Sequence, residues 1–343
     1  MLRHPLGLAL ALGVGLLAAP QAHAQNVSRT GTTAGAFLSI GVGPRAAALG
    51  GAFTAAANDA TSLYWNPAGL AQMNSGELVT AHSEWLADVS HDYIGVAMPL
   101  AGGVAGASVT ILGVPDMVVR TEENQEGTGE TFDASDLAVG LTYGRRITDR
   151  FSIGATAKFI QQRIWHSTAT GFAVDLGTQF RTDFFGGLTI GAALTNFGTD
   201  LRLNGRDLRT TVDPDPTQSG NNGEIPADYA LESWGLPLDF KLGVVMQPMR
   251  SRMNELTISM DALHPSSNYE SVNFGAEYGF RQRIYFRGGF QGLFLPEREG
   301  GLALGVGVRQ PLPYRNGMAK VDYAFRDAGR LGRVHVIGVS VTF

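Results

Sequence analysis

GFAVDLGTQFR, residues 171–181, places Phe172, Val174, Leu176 and Phe180 on one side of an extended chain. Asp175, Gly177, Gln179 and Arg181 fall on the other side. Side chains of a strand alternate with a period of two, so one face suits lipid and the other suits water or a packed interior. The pattern recurs. Leu256, Ile258, Met260 and Ala262 alternate with Thr257, Ser259 and Asp261, and Val272, Phe274, Ala276, Tyr278 and Phe280 with Asn273, Gly275, Glu277 and Gly279. Ala319, Val321, Tyr323 and Phe325 alternate with Lys320, Asp322, Ala324 and Arg326. An arginine or lysine facing the bilayer midplane costs about 2–4 kcal/mol, so placing the charges on one face has an energetic reason.

Working outward, segments of this kind span residues 78–86, 91–100, 103–120, 135–146, 151–165, 171–182 and 187–198. They resume at 238–249, 254–264, 269–280, 283–293, 300–312, 317–329 and 333–343. The expectation is an all-β protein, a transmembrane antiparallel β-barrel of about 14 strands, an even number as in bacterial single-chain barrels. Composition agrees: Gly is abundant at 45 of 343 residues, only 17 % of residues are charged, and no cysteine is present. Without disulfides, a closed hydrogen-bonded wall supplies the stability of an exported chain.

Residues 1–24 read as a cleaved secretory signal, with Arg3 and His4 ahead of the apolar run Leu6 to Ala19 and Ala22-His23-Ala24 before Gln25. The domain expectation is therefore a signal at 1–24, an extension with a hatch or plug at 25–76, and a barrel at 77–343, located in a bacterial outer membrane. The hatch stretch, Gly35 to Met73, is rich in small residues and carries Gly50-Gly51 and Asn66-Pro67, so neither a long helix nor a central strand suits it. It is expected in the lumen, with Arg45, Gly50, Gly51, Asp59, Asn66, Pro67, Ala68 and Gly69 as its marked positions. Asn66-Pro67 reads either as a hinge or as a plain turn. Arg45 and Asp59, set among apolar neighbours, need partners such as Asp175, Glu277, Asp322, Lys320 or Arg326.

The stretch from Thr199 to Gly235 breaks the alternation and reads as a long outer loop. Asp213, Pro214, Asp215, Pro216, Asn221 and Trp234 mark it as a candidate partner surface. Trp65, Trp85, Trp165 and Trp234 fall near segment ends, as interfacial aromatic belts require.

GVGPRAAALGGAF (41–53) followed by NDATSLYWNPAGL (58–70) resembles the amino-terminal signature of the PorV/PorQ family, and its Asn-Pro-Ala core resembles the FadL-type fatty acid transporters. The final strand, with Val339, Val341 and Phe343 on one face, resembles the assembly signal of bacterial outer-membrane barrels. The first resemblance implies a non-enzymatic binding and shuttle component of type IX secretion and surface attachment. Its partners would be outer-membrane lipid, the carboxy-terminal domains of secreted cargo and other secretion components. The alternative it implies is a passive transporter whose partner is a hydrophobic ligand.

Other function classes find little support. The histidines show no metal-binding spacing, no Gly-x-Ser-x-Gly elbow occurs, and the net charge of −5 offers no footprint for nucleic acid. No catalytic residue, metal ligand or cofactor is expected.

Overall fold

A computed structural model describes residues 29–184, 187–215, 217, 224–296, 298–313 and 317–343. The expected signal at 1–24 lies outside the described residues, as do Pro216 and Asn221 of the candidate partner loop. Fourteen antiparallel strands form one closed wall. They are β1 Glu77–Glu84, β2 Ser90–Leu100, β3 Gly103–Val118, β4 Thr131–Arg146, β5 Phe151–Ile164, β6 Ser167–Arg181 and β7 Thr189–Gly198, then β8 Asp239–Arg250, β9 Asn254–Pro265, β10 Ser271–Phe280, β11 Ile284–Leu293, β12 Leu302–Pro311, β13 Met318–Asp327 and β14 Arg333–Thr342. Each pairs with its sequence neighbours, and β14 closes on β1 from Glu77↔Thr342 to Glu84↔His335.

The alternation read from residues 171–181 sets the two faces of β6. Phe172 and Leu176 are 64 % and 53 % exposed on the outside, whereas Asp175 and Gln179 are buried inside at 0 % and 2 %. The outer surface of the other strands is likewise apolar, with Leu141, Ile153, Met260, Phe286 and Val321 exposed. No helix among the described residues is long and apolar enough to cross a membrane. β6 starts earlier than the alternation predicts. Trp165 takes a positive φ of 50° in a two-residue turn, which lets Ser167–Thr170 pair back onto Gln161–Ile164.

Connections at 101–102, 147–150, 182–188, 251–253, 281–283 and 312–317 are short and share one end, the inner mouth. The other end, the outer rim, carries the long ones, 119–130 and 199–238. The described residues of the 199–238 segment carry more regular pairing than the open loop expected from sequence. Leu201 and Trp234 bridge one another, Asn204–Gly205 pairs with the start of β6, and Arg209–Val212 pairs with Ile225–Asp228. These local ladders satisfy backbone groups that a long coil would leave to water.

The lumen is filled by the hatch. Pro44 opens a short helix, α1 (Pro44–Ala48), where its missing N–H costs nothing, and Gly50-Gly51 at φ 65° and 78° end it. A second turn, α2 (Ser62–Trp65), is followed by a 3-10 turn over Pro67–Gln72. Hatch residues Phe53, Leu63 and Leu70 pack with wall residues Val79, Tyr93, Ala97 and Val104 in one buried cluster. Trp65 belongs to this cluster, with its indole N–H donating to the Val42 carbonyl at 2.9 Å, so it is a lumen residue and not part of an interfacial belt. Gly50 approaches the wall so closely that a Cβ there would sit 2.6 Å from the Phe290 nitrogen.

If the outer face meets lipid, Val174→Arg, midway along β6, should cost about 2–4 kcal/mol in equilibrium unfolding from lipid vesicles, and Thr168→Arg near the rim about 0–1 kcal/mol. Equal costs at the two depths would contradict a bilayer around this wall.

Candidate functional site

Asn66 sits inside the barrel against β6, fully buried. Its side-chain amide donates to Thr54 O at 2.8 Å and to Thr178 O of β6 at 3.1 Å, while its Oδ1 accepts from Ala68 N at 3.1 Å. Proline at 67 favours the extended backbone that Asn66 shows (φ −162°, ψ 106°). The wall yields to this corner with glycine: a Cβ on Gly177 would fall 2.1 Å from Asn66 Oδ1, and one on Gly154 2.4 Å from the Pro67 carbonyl carbon. The corner is wedged against the inner face of the wall, ahead of the first strand. Ala68 is buried beside it, and a Cβ on Gly69 would lie 2.5 Å from Ala57 O.

Two wall side chains that the sequence did not single out as site residues hold the hatch backbone. Asp261 Oδ2 accepts from Phe53 N and Thr54 N at 2.9 and 2.8 Å, and Gln179 donates to the carbonyls of Ala55 and Ala57. Irregular backbone buried in a lumen must find such partners, because an unpaired buried amide or carbonyl costs as much as a lost hydrogen bond. The signal available in the sequence was only a polar residue at an inward position.

The marked charges meet. Arg45 contacts Asp59 at 3.0 Å and grips Glu277 with two hydrogen bonds of 3.0 Å. Glu277 also accepts from Arg287 at 2.6 Å, and Arg287 reaches Asp322 at 2.5 Å, while Lys320 pairs with Glu77 at 2.7 Å. Burial works to raise the Asp59 carboxyl pKa, but the Arg45 guanidinium and the Lys320 ammonium outweigh it and hold the group below the usual carboxylate range. A second set joins Lys158 to Asp175 at 2.6 Å and to Asn196 at 2.8 Å. Asn196, at φ 63°, forms a bulge where β7 departs from β6, and its backbone N–H donates to Asp175 at 2.8 Å.

Above this plug, at the outer rim, lies a cavity of about 800 Å³. Phe37 and Ile40 of the hatch border it with Trp85, Leu86, Leu112 and Leu295. Arg326 lies over the Trp85 ring, 4.5 Å from its centre, and donates to Gln291 at 3.3 Å; no carboxylate among the described residues pairs with it. Below the hatch, at the inner mouth, a polar cavity of about 470 Å³ opens. A space of only about 20 Å³, beside Leu38, Leu63 and Tyr93, occurs among the packed groups between them. Asp213, Pro214, Asp215 and Trp234 lie in the outer-rim loop, away from the hatch anchor, with Trp234 47 % exposed. Val339 faces outward, and Phe343 donates its backbone N–H to Gly76 O at 2.8 Å. Among the described residues no group of histidine, aspartate and glutamate is placed to hold a metal.

Fold and site together define a closed 14-stranded antiparallel barrel whose lumen is filled by an amino-terminal hatch. The chain belongs to the Uncharacterised protein family UPF0164, which matches residues 13–210. No curated protein matches the sequence. Among solved structures, the toluene transporter TbuX of Ralstonia pickettii superposes with a TM-score of 0.51 at 13 % identity, over 88 % of this chain and 97 % of that one. The Pseudomonas putida toluene transporter TodX gives 0.55 at 12 % identity, over 88 % and 97 %. A Pseudomonas aeruginosa FadL homologue gives 0.52 at 12 %, over 88 % and 98 %. At such identities the likeness is one of fold.

Replacing Glu277 by Gln removes the buried charge that Arg45 and Arg287 share, leaving Asp59 to the first and Asp322 to the second. The substitution should cost about 3–5 kcal/mol in urea unfolding, as removing one partner of a buried pair does. A loss under 1 kcal/mol would mean that Asp59 and Asp322 satisfy these guanidiniums without Glu277.

Proposed function

We propose that this protein is an outer-membrane barrel that binds small hydrophobic molecules at its outer rim and lets them pass when the hatch yields. The observation that carries this reading is the outer cavity. Its volume of about 800 Å³ lies in the range of small-molecule sites, and its lining is apolar at Phe37, Ile40, Trp85, Leu86, Leu112 and Leu295, with Gln291 and the charged residues Asp136, Arg298, Glu299, Arg326 and Asp327 at its border. Its floor is the hatch itself, through Phe37 and Ile40, so a bound molecule touches the element that blocks the lumen. The toluene transporters and the FadL homologue of the same fold support the reading as analogy.

The shuttle role in type IX secretion implied by the amino-terminal resemblance is the second reading. What favours it is the outer-rim loop, where Val212, Ile225, Tyr229 and Trp234 are exposed around the short ladder. Transport is ranked first because it rests on a built cavity, whereas the shuttle rests on a resemblance and on exposed loop residues. No feature of either reading calls for catalysis.

Trp85 borders the cavity, so toluene added to the detergent-solubilised barrel should change tryptophan fluorescence saturably, and Trp85→Phe should remove most of the signal. Ile40→Arg places a charge in the apolar floor and should weaken binding by about tenfold or more. Cysteines introduced at Ala48 and Ala324, neighbours in one buried cluster of a chain without native cysteine, should lock the hatch when oxidised. Binding should survive and transfer into vesicles should stop until reductant is added. Saturable binding of secreted proteins by the loop, with no toluene response, would favour the shuttle instead.

A further inference from the structure

The inner-mouth cavity has a different chemistry from the outer one. Its ceiling is hatch, through Asn58, Gln72 and Asn74, and its walls are the inner ends of β4 to β9. Five arginines border it, and two of them have acidic partners: Arg45 with Asp59 and Glu277, and Arg150 with Asp183 at 2.5 Å. Arg146 donates only to neutral oxygens, Ala71 O at 3.1 Å and Gln72 Oε1 at 3.4 Å. Arg181 and Arg250 pair with no carboxylate among the described residues. The one carboxylate bordering the space, Glu255, stands opposite Arg250 in register but accepts instead from Gln247 at 3.1 Å. Three guanidiniums thus face a shared space against one carboxylate.

Arg250 arrives there by a backbone irregularity. Along β8 the inward positions run Lys241, Gly243, Val245 and Gln247, and strict alternation would next turn Met249 inward and Arg250 toward the outside. The register instead steps from Met246↔Ile258 to Met249↔Leu256, so β8 carries one extra residue at Gln247-Pro248. Proline has no N–H for the ladder and is tolerated at a bulge. The phase flips: Met249 is 46 % exposed on the outer face and Arg250 borders the cavity. Close to a membrane interface an arginine on the lipid face carries little penalty, so avoiding lipid does not by itself account for the bulge. What the bulge does is deliver a third unpaired guanidinium to the mouth.

We propose that the inner mouth is a binding site for a small phosphorylated anion, held by Arg146, Arg181 and Arg250 beneath the hatch. Guanidinium groups donate in planar forks that match phosphate oxygens, and a tetrahedral dianion accepts from several at once. The volume of about 470 Å³ suits a small molecule, and the neutral hydrogen-bonding groups of Asn58, Asn74 and Thr189 suit a polar body and not an apolar one. Because the ceiling is hatch and the guanidiniums are wall, the anion bridges the two and holds the hatch closed from below. The site is separate from the outer cavity, and its ligand is of another class.

Pyrophosphate is the probe, titrated calorimetrically into the purified full-length barrel in a zwitterionic detergent. Saturable one-to-one binding is expected, with a raised melting temperature. The variant Arg181→Gln/Arg250→Gln should bind at least about tenfold more weakly, the loss expected when hydrogen bonds to a charged group go. Arg209→Gln, on the short ladder of the outer-rim loop and bordering neither cavity, should bind as wild type does, and toluene binding should be unchanged in both variants. Arg250→Gln alone serves if the double variant does not fold. Absence of saturable binding, or equal affinity in the inner-mouth variants, would overturn the proposal whatever becomes of the outer cavity.

Discussion

Closure of the sheet is the constraint on which everything else rests. Once β14 pairs with β1 along its length, no strand edge is left with unpaired N–H and C=O groups, and the wall can stand in a medium that offers no hydrogen bonds. Closure also creates an interior, and that interior is wide enough to need filling. The hatch fills it with alanine, glycine and a few large anchors, Phe53, Leu63 and Trp65, because a chain threaded against a curved wall meets backbone at close range. The abundance of glycine in the wall follows in part from the same contact, as at Gly154 and Gly177 beneath Asn66-Pro67.

A plug in irregular conformation brings polar backbone into a buried space, and the wall answers with side chains. Asp261 and Gln179 take up amides and carbonyls of residues 53–57, while Arg45 and Asp59 are absorbed into a chain of charges that ends on β1 and β13. Buried ion pairs of this kind add little net stability over a well-packed apolar alternative, but breaking one is costly. Their effect here is register: Arg45 has a defined set of acceptors, and the hatch has a defined seat. The seated hatch therefore separates two cavities of different character, one with a largely apolar floor facing outward, one bordered by arginines facing inward.

If the hatch opens as proposed, ligands can act on it from both sides. A molecule in the outer cavity touches the hatch at Phe37 and Ile40, and an anion in the inner mouth would touch it at Asn58, Gln72 and Asn74. Any ligand that binds open and closed hatch unequally shifts the balance between them by that difference in affinity and no more. The wall has its own irregular points, among them Asn196 in β7 and Gln247-Pro248 in β8, on strands that pair with each other.

Alternation alone was enough to place all fourteen strands, because a two-faced wall between unlike media imposes period two on every segment, and segments 172–180 and 256–262 show it without ambiguity. The small-residue run before the first strand likewise declared itself as something other than wall. Tertiary structure decided the rest: that Asn66-Pro67 is a wedge, that Trp65 is core and not belt, that residues 199–238 fold into ladders, and that Asp261 and Gln179 hold the hatch. The bulge in β8 shows why. Alternation specifies a face only while the register is unbroken, and one inserted residue, invisible to a periodic reading, exchanges inside for outside for every residue beyond it. Which partners a buried charge meets is a property of strand pairing across the barrel, and no local pattern in the chain encodes a contact such as Arg45 with Glu277, 232 residues apart.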